Sequence, residues 1–173
     1  MIRSWKTLLA ALMLGLAATS PVSAQSNPQV VAQFDDATIA RLLLAVQATW
    51  RTETGPDGRA LYRASAEGGI SFTLLPQACG EEQGCRALLV LANFTGVEAD
   101  NVSTLDNFLH RFNDAYPSAK VYRVGENGVV LQAYLNAAQG ISFANAQAQL
   151  LVFGQDLVVL RNELTALSSA ASR

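Results

Sequence analysis

The feature that most restricts this chain runs from Ile70 to Phe94. Two β-type segments are joined there by a short loop that its only two cysteines, Cys79 and Cys85, bracket. Gly80-Glu81-Glu82-Gln83-Gly84 lies between them, and Arg86-Ala-Leu-Leu-Val-Leu-Ala-Asn-Phe94 follows directly. Every position from Ala87 to Ala92 is apolar, at odd and even numbers alike. A strand with one wet face alternates polar and apolar residues, so this run predicts a strand buried on both faces, in the middle of a sheet. The rest of the sequence reads as what covers it.

What the cysteines do depends on where the chain resides. Arg3 and Lys6 give a positive start, Thr7 to Ala18 is apolar and uncharged, Pro21 interrupts, and Val22-Ser23-Ala24 supplies the small residues of a signal-peptidase site. Residues 1–24 therefore read as a cleaved signal peptide, with export to the periplasm or beyond. The apolar run falls short of the roughly 20 residues a membrane anchor needs. Loss of Arg3 and Lys6 takes the formal charge from −2 to −4. The remaining basic residues are scattered, so no nucleic-acid footprint is expected. No later segment predicts stable membrane insertion, and what remains is the length of one ordinary domain.

An oxidising compartment favours a bond between Cys79 and Cys85, which a hairpin tip brings into range. Zinc would need further ligands, and His110 is the sole histidine. A redox pair is more often spaced Cys-x-x-Cys. The pair reads as a structural disulfide closing a loop of about seven residues, worth about 2 kcal/mol on the chain-entropy model.

In chain order, residues 25–33 are polar and read as a flexible lead-in. Asp35 or Asp36 caps a first helix whose apolar face is Ile39, Leu42, Leu43, Val46 and Trp50. After a Gly55–Gly58 turn, Arg59–Ser65 and a second strand opening at Ile70, with Pro76 expected to end it, form a hairpin through Glu67-Gly68-Gly69, where glycine accepts positive φ. Arg86–Phe94 is the third strand. Ser103-Thr104-Leu105-Asp106 reads as the capping box of a second helix, with Leu105, Phe108, Leu109, Phe112 and Tyr116 on its apolar face and Pro117 as its stop. Lys120–Val124 and Val129–Leu135 pair around Gly125-Glu126-Asn127-Gly128.

A last helix spans Ser142 to Leu167, with Phe143, Ala146, Leu150, Phe153, Leu157, Leu160, Leu164 and Leu167 as a heptad-like seam. Leu151, Val158 and Val159 widen the stripe, which favours a helix lying on its own core over a two-stranded coil. Gly154 inside it costs about 1 kcal/mol relative to Ala and reads as a place where a neighbouring backbone comes close. Residues 168–173 read as a frayed tail. Hairpin links imply antiparallel strands. The prediction is an α+β fold in the order α-βββ-α-ββ-α, with an antiparallel sheet of about five strands over residues 34–167.

Three local features accompany this order. The first is the cysteine-bracketed hairpin entering an apolar strand. The second is the Asn107, Phe108, Arg111, Phe112, Ala115 and Tyr116 set on the second helix. The third is Gly140-Ile141-Ser142 opening the last helix. Together they resemble the bacterial YbjN family of sensory-transduction-regulator-like domains, over roughly Phe34 to Leu167. Family members often carry Asn with Trp or Phe at the start of the second helix, where this chain has Thr104-Leu105-Asp106. The resemblance implies a fold akin to type III secretion chaperones and a regulatory or chaperone-like role, with no catalytic residues to carry over. On that footing Asn107, Phe108, Arg111 and Phe112, and with them Leu157 and Leu164 from the seam of the last helix, are the residues expected at a partner surface.

No Gly-x-Ser-x-Gly, His-Glu-x-x-His, phosphate-loop or dinucleotide pattern occurs. His110 lies away from the apolar stripe of its helix and reads as a surface histidine, with Asp106 one turn away. Glu81 and Glu82 read as a solvated loop tip. Arg111 reads as a salt bridge or a stem over apolar surface, or alternatively as a clamp on a partner's carboxylate or backbone. The expectation is a non-catalytic exported module with an unidentified protein partner, able to pair with a second copy, without cofactor or metal. The alternatives are a carrier of a small apolar ligand between the sheet and the last helix, and an enzyme of unrecognised type using His110.

Overall fold

The computed structural model describes residues 29–55, 58–80, 84–99 and 101–171. The expected signal peptide, the first part of the lead-in and the Glu81–Glu82 tip lie outside them. The elements run β1 (Val30–Val31), α1 (Asp36–Ala45), β2 (Thr49–Thr54), β3 (Ala60–Ala66), a 3-10 turn (Glu67–Gly69), β4 (Ile70–Gly80), β5 (Gly84–Phe94), α2 (Val102–Ala115), β6 (Lys120–Val124), β7 (Gly128–Asn136), β8 (Ile141–Ser142) and α3 (Phe143–Ala171). Six strands form one sheet in the order β2-β3-β4-β5-β7-β6, with every neighbouring pair antiparallel, and β1 with β8 makes a separate two-stranded sheet. The fold is α+β, as the alternation of patterns implies.

One strand more than expected enters the main sheet. Trp50 sits at helical spacing from Val46, yet α1 ends at Ala45 and Trp50 lies on β2, opposite Ala64. Gln47, at φ 56°, breaks the spiral, and the amides of Val46 and Ala48 close back on the carbonyls of Leu42 and Leu43. Thr-Trp-Arg-Thr-Glu-Thr then alternates as an edge strand, and Trp50 reaches the same core from the sheet instead of the helix. The lead-in also contributes structure: Val30 and Val31 pair with Ser142 and Ile141, and the Phe143 amide donates to the Gln29 carbonyl at 2.7 Å.

Helix starts follow the side chains that satisfy their first amides. Asp35 accepts from the Thr38 amide at 2.7 Å and opens α1 as expected. In α2 the cap is Asn101, accepting from the Thr104 amide at 2.8 Å, two residues ahead of the expected Ser103. Asp106, expected to complete a capping box, instead takes the Arg123 guanidinium of β6 at 3.0 Å. α2 ends at Ala115, just before Pro117.

Among the described residues the helices pack on one face of the sheet. Register places Leu74, Val90 and Ala133 in one row and Phe72 beside Ala64 on the same side. These join Leu88, Ala92 and Leu131 in a single core with Ile39, Leu42 and Leu43 of α1, Leu105, Phe108 and Phe112 of α2, and Phe153, Leu157 and Leu160 of α3. The Phe72 and Phe153 rings meet edge to face at 6.2 Å. The other face carries Leu75, Leu89 and Tyr134 in one row, and none of the three belongs to that core. The expectation that β5 is buried on both sides is therefore corrected. Leu88, Val90 and Ala92 are buried on the helix side, while on the other side Ala87 is buried and Leu89 and Leu91 are half-buried among their cross-strand neighbours. An apolar run permits double burial but does not require a second layer.

The α3 seam from Ala146 to Leu164 packs into the chain's own core, while Leu151 is 46% exposed and does not widen it. The helix continues past Leu167 to Ala171, and Ser168 accepts the Glu98 amide at 3.1 Å. A Cβ placed at Gly154 would meet nothing within 4 Å, so the close backbone approach expected there is absent. Gly154→Ala should therefore raise unfolding stability in urea by about 0.5–1 kcal/mol. In the same assay Leu88→Ala, on the covered face, should cost about 2–5 kcal/mol. Leu89→Ala, one residue along on the open face, should cost less than about 1.5 kcal/mol.

Candidate binding surface

The uncovered face is built from alternating positions that period-two pleating sends away from the helices. One row crosses all six strands: Arg51, Arg63, Thr73, Leu91, Gln132 and Lys120 are successive cross-strand partners. A second row, Leu75, Leu89 and Tyr134, lies on one side of it, and Asn93, Val130 and Tyr122 lie on the other. The centre is thus aliphatic and aromatic, with Tyr134 52% exposed, and the β2 side is charged.

The charged side is organised around Glu53. Its carboxylate accepts from Arg51 Nε at 2.7 Å and from Arg63 Nε at 3.1 Å, and Arg63 Nη1 also reaches Thr73 Oγ1 at 3.1 Å. Hydrogen bonds from Arg51, then from Arg63, hold the Glu53 carboxyl below its usual range. Beside this network the face hollows into a depression of about 590 Å³, lined by Thr49, Arg51, Arg63, Ser71, Leu91 and Asn93 among others. Chemically the surface offers apolar area, tyrosine hydroxyls and guanidinium groups, which are the means of binding.

A second, more apolar groove of about 540 Å³ adjoins the disulfide. Cys79 and Cys85 are bonded directly across β4 and β5, where they are register partners. A bonded pair is compatible with an oxidising compartment. Phe34, Pro76 and Tyr62 line the groove, and Arg59 Nη1 lies 3.9 Å from Cys79 Sγ. The Tyr62 hydroxyl donates to Asp36 in the first turn of α1. Burial, then the Asp36 hydrogen bond, then the charges of Asp36 and Asp35 push the Tyr62 phenol well above its ordinary value. Asp35 is held low by its hydrogen bonds from Thr38.

The residues expected at a partner surface separate into two groups. Phe108, Phe112, Leu157 and Leu164 are buried in the core of the single chain, so they support the surface and do not form it. Asn107 and Arg111 are exposed on α2, as is His110. Asp106, one turn from His110, is paired with Arg123. Leu89, Leu91 and Tyr134 were not marked by sequence reasoning. The available signal was the polar alternation of β2 and β3, which already implied that the sheet has a wet side.

No family model and no curated protein matches this chain. Among the described residues no helix is long and apolar enough to cross a membrane, and no three His, Cys, Asp or Glu side chains are grouped to hold a metal ion.

Two outcomes test this geometry. The unfolded phenol ionises near pH 10, whereas folded Tyr62 stays neutral to higher pH. Stability present below pH 10 is therefore lost as pH rises further, and Tyr62→Phe should flatten that alkaline loss in urea titrations. Replacing Cys79 and Cys85 together by Ser should lower unfolding stability by about 2 kcal/mol, read as a reduced urea midpoint.

Proposed function

We propose that this protein is an exported, non-catalytic binding module of the YbjN kind, with a regulatory or chaperone-like role, and that the open sheet face holds its protein partner. The observation that carries the reading is the uncovered row of Leu75, Leu89 and Tyr134 beside Leu91, flanked by Arg51, Arg63 and Lys120. Interfaces concentrate aromatic and arginine anchors at an apolar centre inside a polar rim, and this face has both parts. An antiparallel sheet tolerates water on one side, but that side is ordinarily polar. Leucines at its middle are better accounted for by a second surface that covers them. The YbjN reading rests on the α2 residues Asn107, Phe108, Arg111 and Phe112, on the bonded hairpin and on the Gly140-Ile141-Ser142 start of α3. Export rests on the composition of residues 1–24, with which the bonded cysteines agree.

A second reading, carriage of a small apolar ligand, is favoured by the groove beside the disulfide rather than by any space between sheet and α3. Native mass spectrometry of the protein purified from its own host separates the two, because a carrier retains mass beyond the bare chain.

The main reading is tested by in vivo cross-linking and affinity capture of the exported protein. A partner held by the wild type should be lost from the Leu89→Glu/Leu91→Glu variant, with unchanged circular dichroism. It should be retained by Asn107→Ala/Arg111→Ala. Equal capture by the open-face variant would overturn this use of the sheet.

A further inference from the structure

The two edges of the six-stranded sheet are treated differently. At β6 the side-chain amide of Asn113, on α2, occupies the edge: its Nδ2 donates to the Val121 carbonyl at 2.9 Å, and its Oδ1 accepts the Val121 amide at 2.7 Å. That edge is closed to a further strand at Val121. At β2 no proline, charged inward residue or helix performs the same office among the described residues, and Thr52 and Thr54 are exposed.

Hydrogen-bond parity identifies the groups that β2 presents outward. The Gly55 amide donates to the Arg59 carbonyl at 2.7 Å, so Gly55 faces β3. Alternation then turns Glu53, Arg51 and Thr49 towards β3, and leaves the backbone groups of Trp50, Thr52 and Thr54 pointing away from the sheet. Side chains alternate with the same period. Arg51 and Glu53 project from the open face on either side of Thr52, and Arg51 is 75% exposed.

We propose that β2 is a homodimer interface, in which two copies pair antiparallel about a two-fold axis at Thr52 and merge their sheets into one of twelve strands. This register is the one the strand's own chemistry selects. With Thr52 opposite Thr52 of the second copy, the outward backbone groups of Trp50, Thr52 and Thr54 form the ladder. Arg51 then stands directly opposite the second copy's Glu53, and Glu53 opposite its Arg51. A closed two-fold contact must be self-complementary, and Arg-Thr-Glu centred on its middle residue is so in charge, spacing and face. Pairing that runs one residue out of step would bring inward-turned groups to the seam and lose the ladder. A two-fold axis normal to the sheet also keeps both open faces on one side, so the dimer presents a continuous surface. The pairing does not depend on whether that face holds a partner.

Sedimentation across a concentration series, together with single-cysteine cross-linking of the full exported chain, tests the geometry. A hydrogen-bonded cross-strand pair sets Cα atoms about 5.5 Å apart, within disulfide range. Thr52→Cys should therefore give a covalent dimer on oxidation. Thr54→Cys should not, because Thr54 faces Trp50 of the second copy. Arg51→Glu should weaken dimerisation on the order of tenfold, since the change occurs twice at the seam and turns attraction into repulsion. Arg51→Glu/Glu53→Arg should restore it to within about threefold, because the swap recreates opposite charges across the axis. A chain that is monomeric at all concentrations, equal cross-linking at positions 52 and 54, or a double swap no better than the single variant would each overturn the proposal.

Discussion

The covered side of β5 is the surface on which the rest of the molecule is assembled. Leu88, Val90 and Ala92 are flanked on that side by β4 and β7, and all three helices close over the floor these strands make. The connection from β5 to β6 explains how α2 comes to lie there. β6 stands two places from β5 and, through β7, runs parallel to it, so the link between them is a crossover and cannot be a hairpin. A crossover must pass over one face, and the apolar side of α2 selects the face on which Leu131 and Val121 are buried. β7 then fills the gap as the return strand. α1 and α3, which precede and follow the main strands, are drawn to the same side because their apolar stripes have no other surface to bury.

Polar groups inside this arrangement hold the layers in position. Asp156 is the buried acid of α3, and it accepts the hydroxyl of Ser118 in the connection between α2 and β6. Asn113 completes the β6 edge from the helix, and Arg123 returns the tie from strand to helix through Asp106. Each bond joins α2 or its connection to a neighbouring element, where the crossover would otherwise leave backbone and carboxylate groups without partners. Buried polar groups stabilise only when satisfied, and the buried Asp156 carboxylate has its partner in Ser118. The open face is held differently, since the charges of β2 and β3 are paired in the plane of the sheet around Glu53 and its leucines shield one another across strands.

Much of the fold was legible because the relevant signals are local. Asp35 at a helix start, Pro117 after a helix end, Gly68 and Gly69 with positive φ at a turn, and the seam from Ala146 to Leu164 all act within a few residues. β2 was not legible as a strand, because Trp50 continues the helical spacing of α1 and the interruption at Gln47 is a backbone event without a glycine to announce it. The candidate surface was the least legible part. Phe108, Phe112, Leu157 and Leu164 looked available because a periodic apolar stripe does not state which neighbour it meets, and their neighbour is the same chain.

What the sequence determined by itself is the set of elements and their apolar faces, together with a cysteine pair placed to close the β4–β5 hairpin. Periodicity, caps and turn residues are properties of short stretches, and they survive without knowledge of the rest. Tertiary structure alone decided which side of β5 would be roofed and which edge would be closed. Both depend on where a crossover helix comes to rest and on which strand Asn113 reaches, and these are contacts between residues distant along the chain. An apolar residue records that it avoids water; only the assembled layers record what it meets instead.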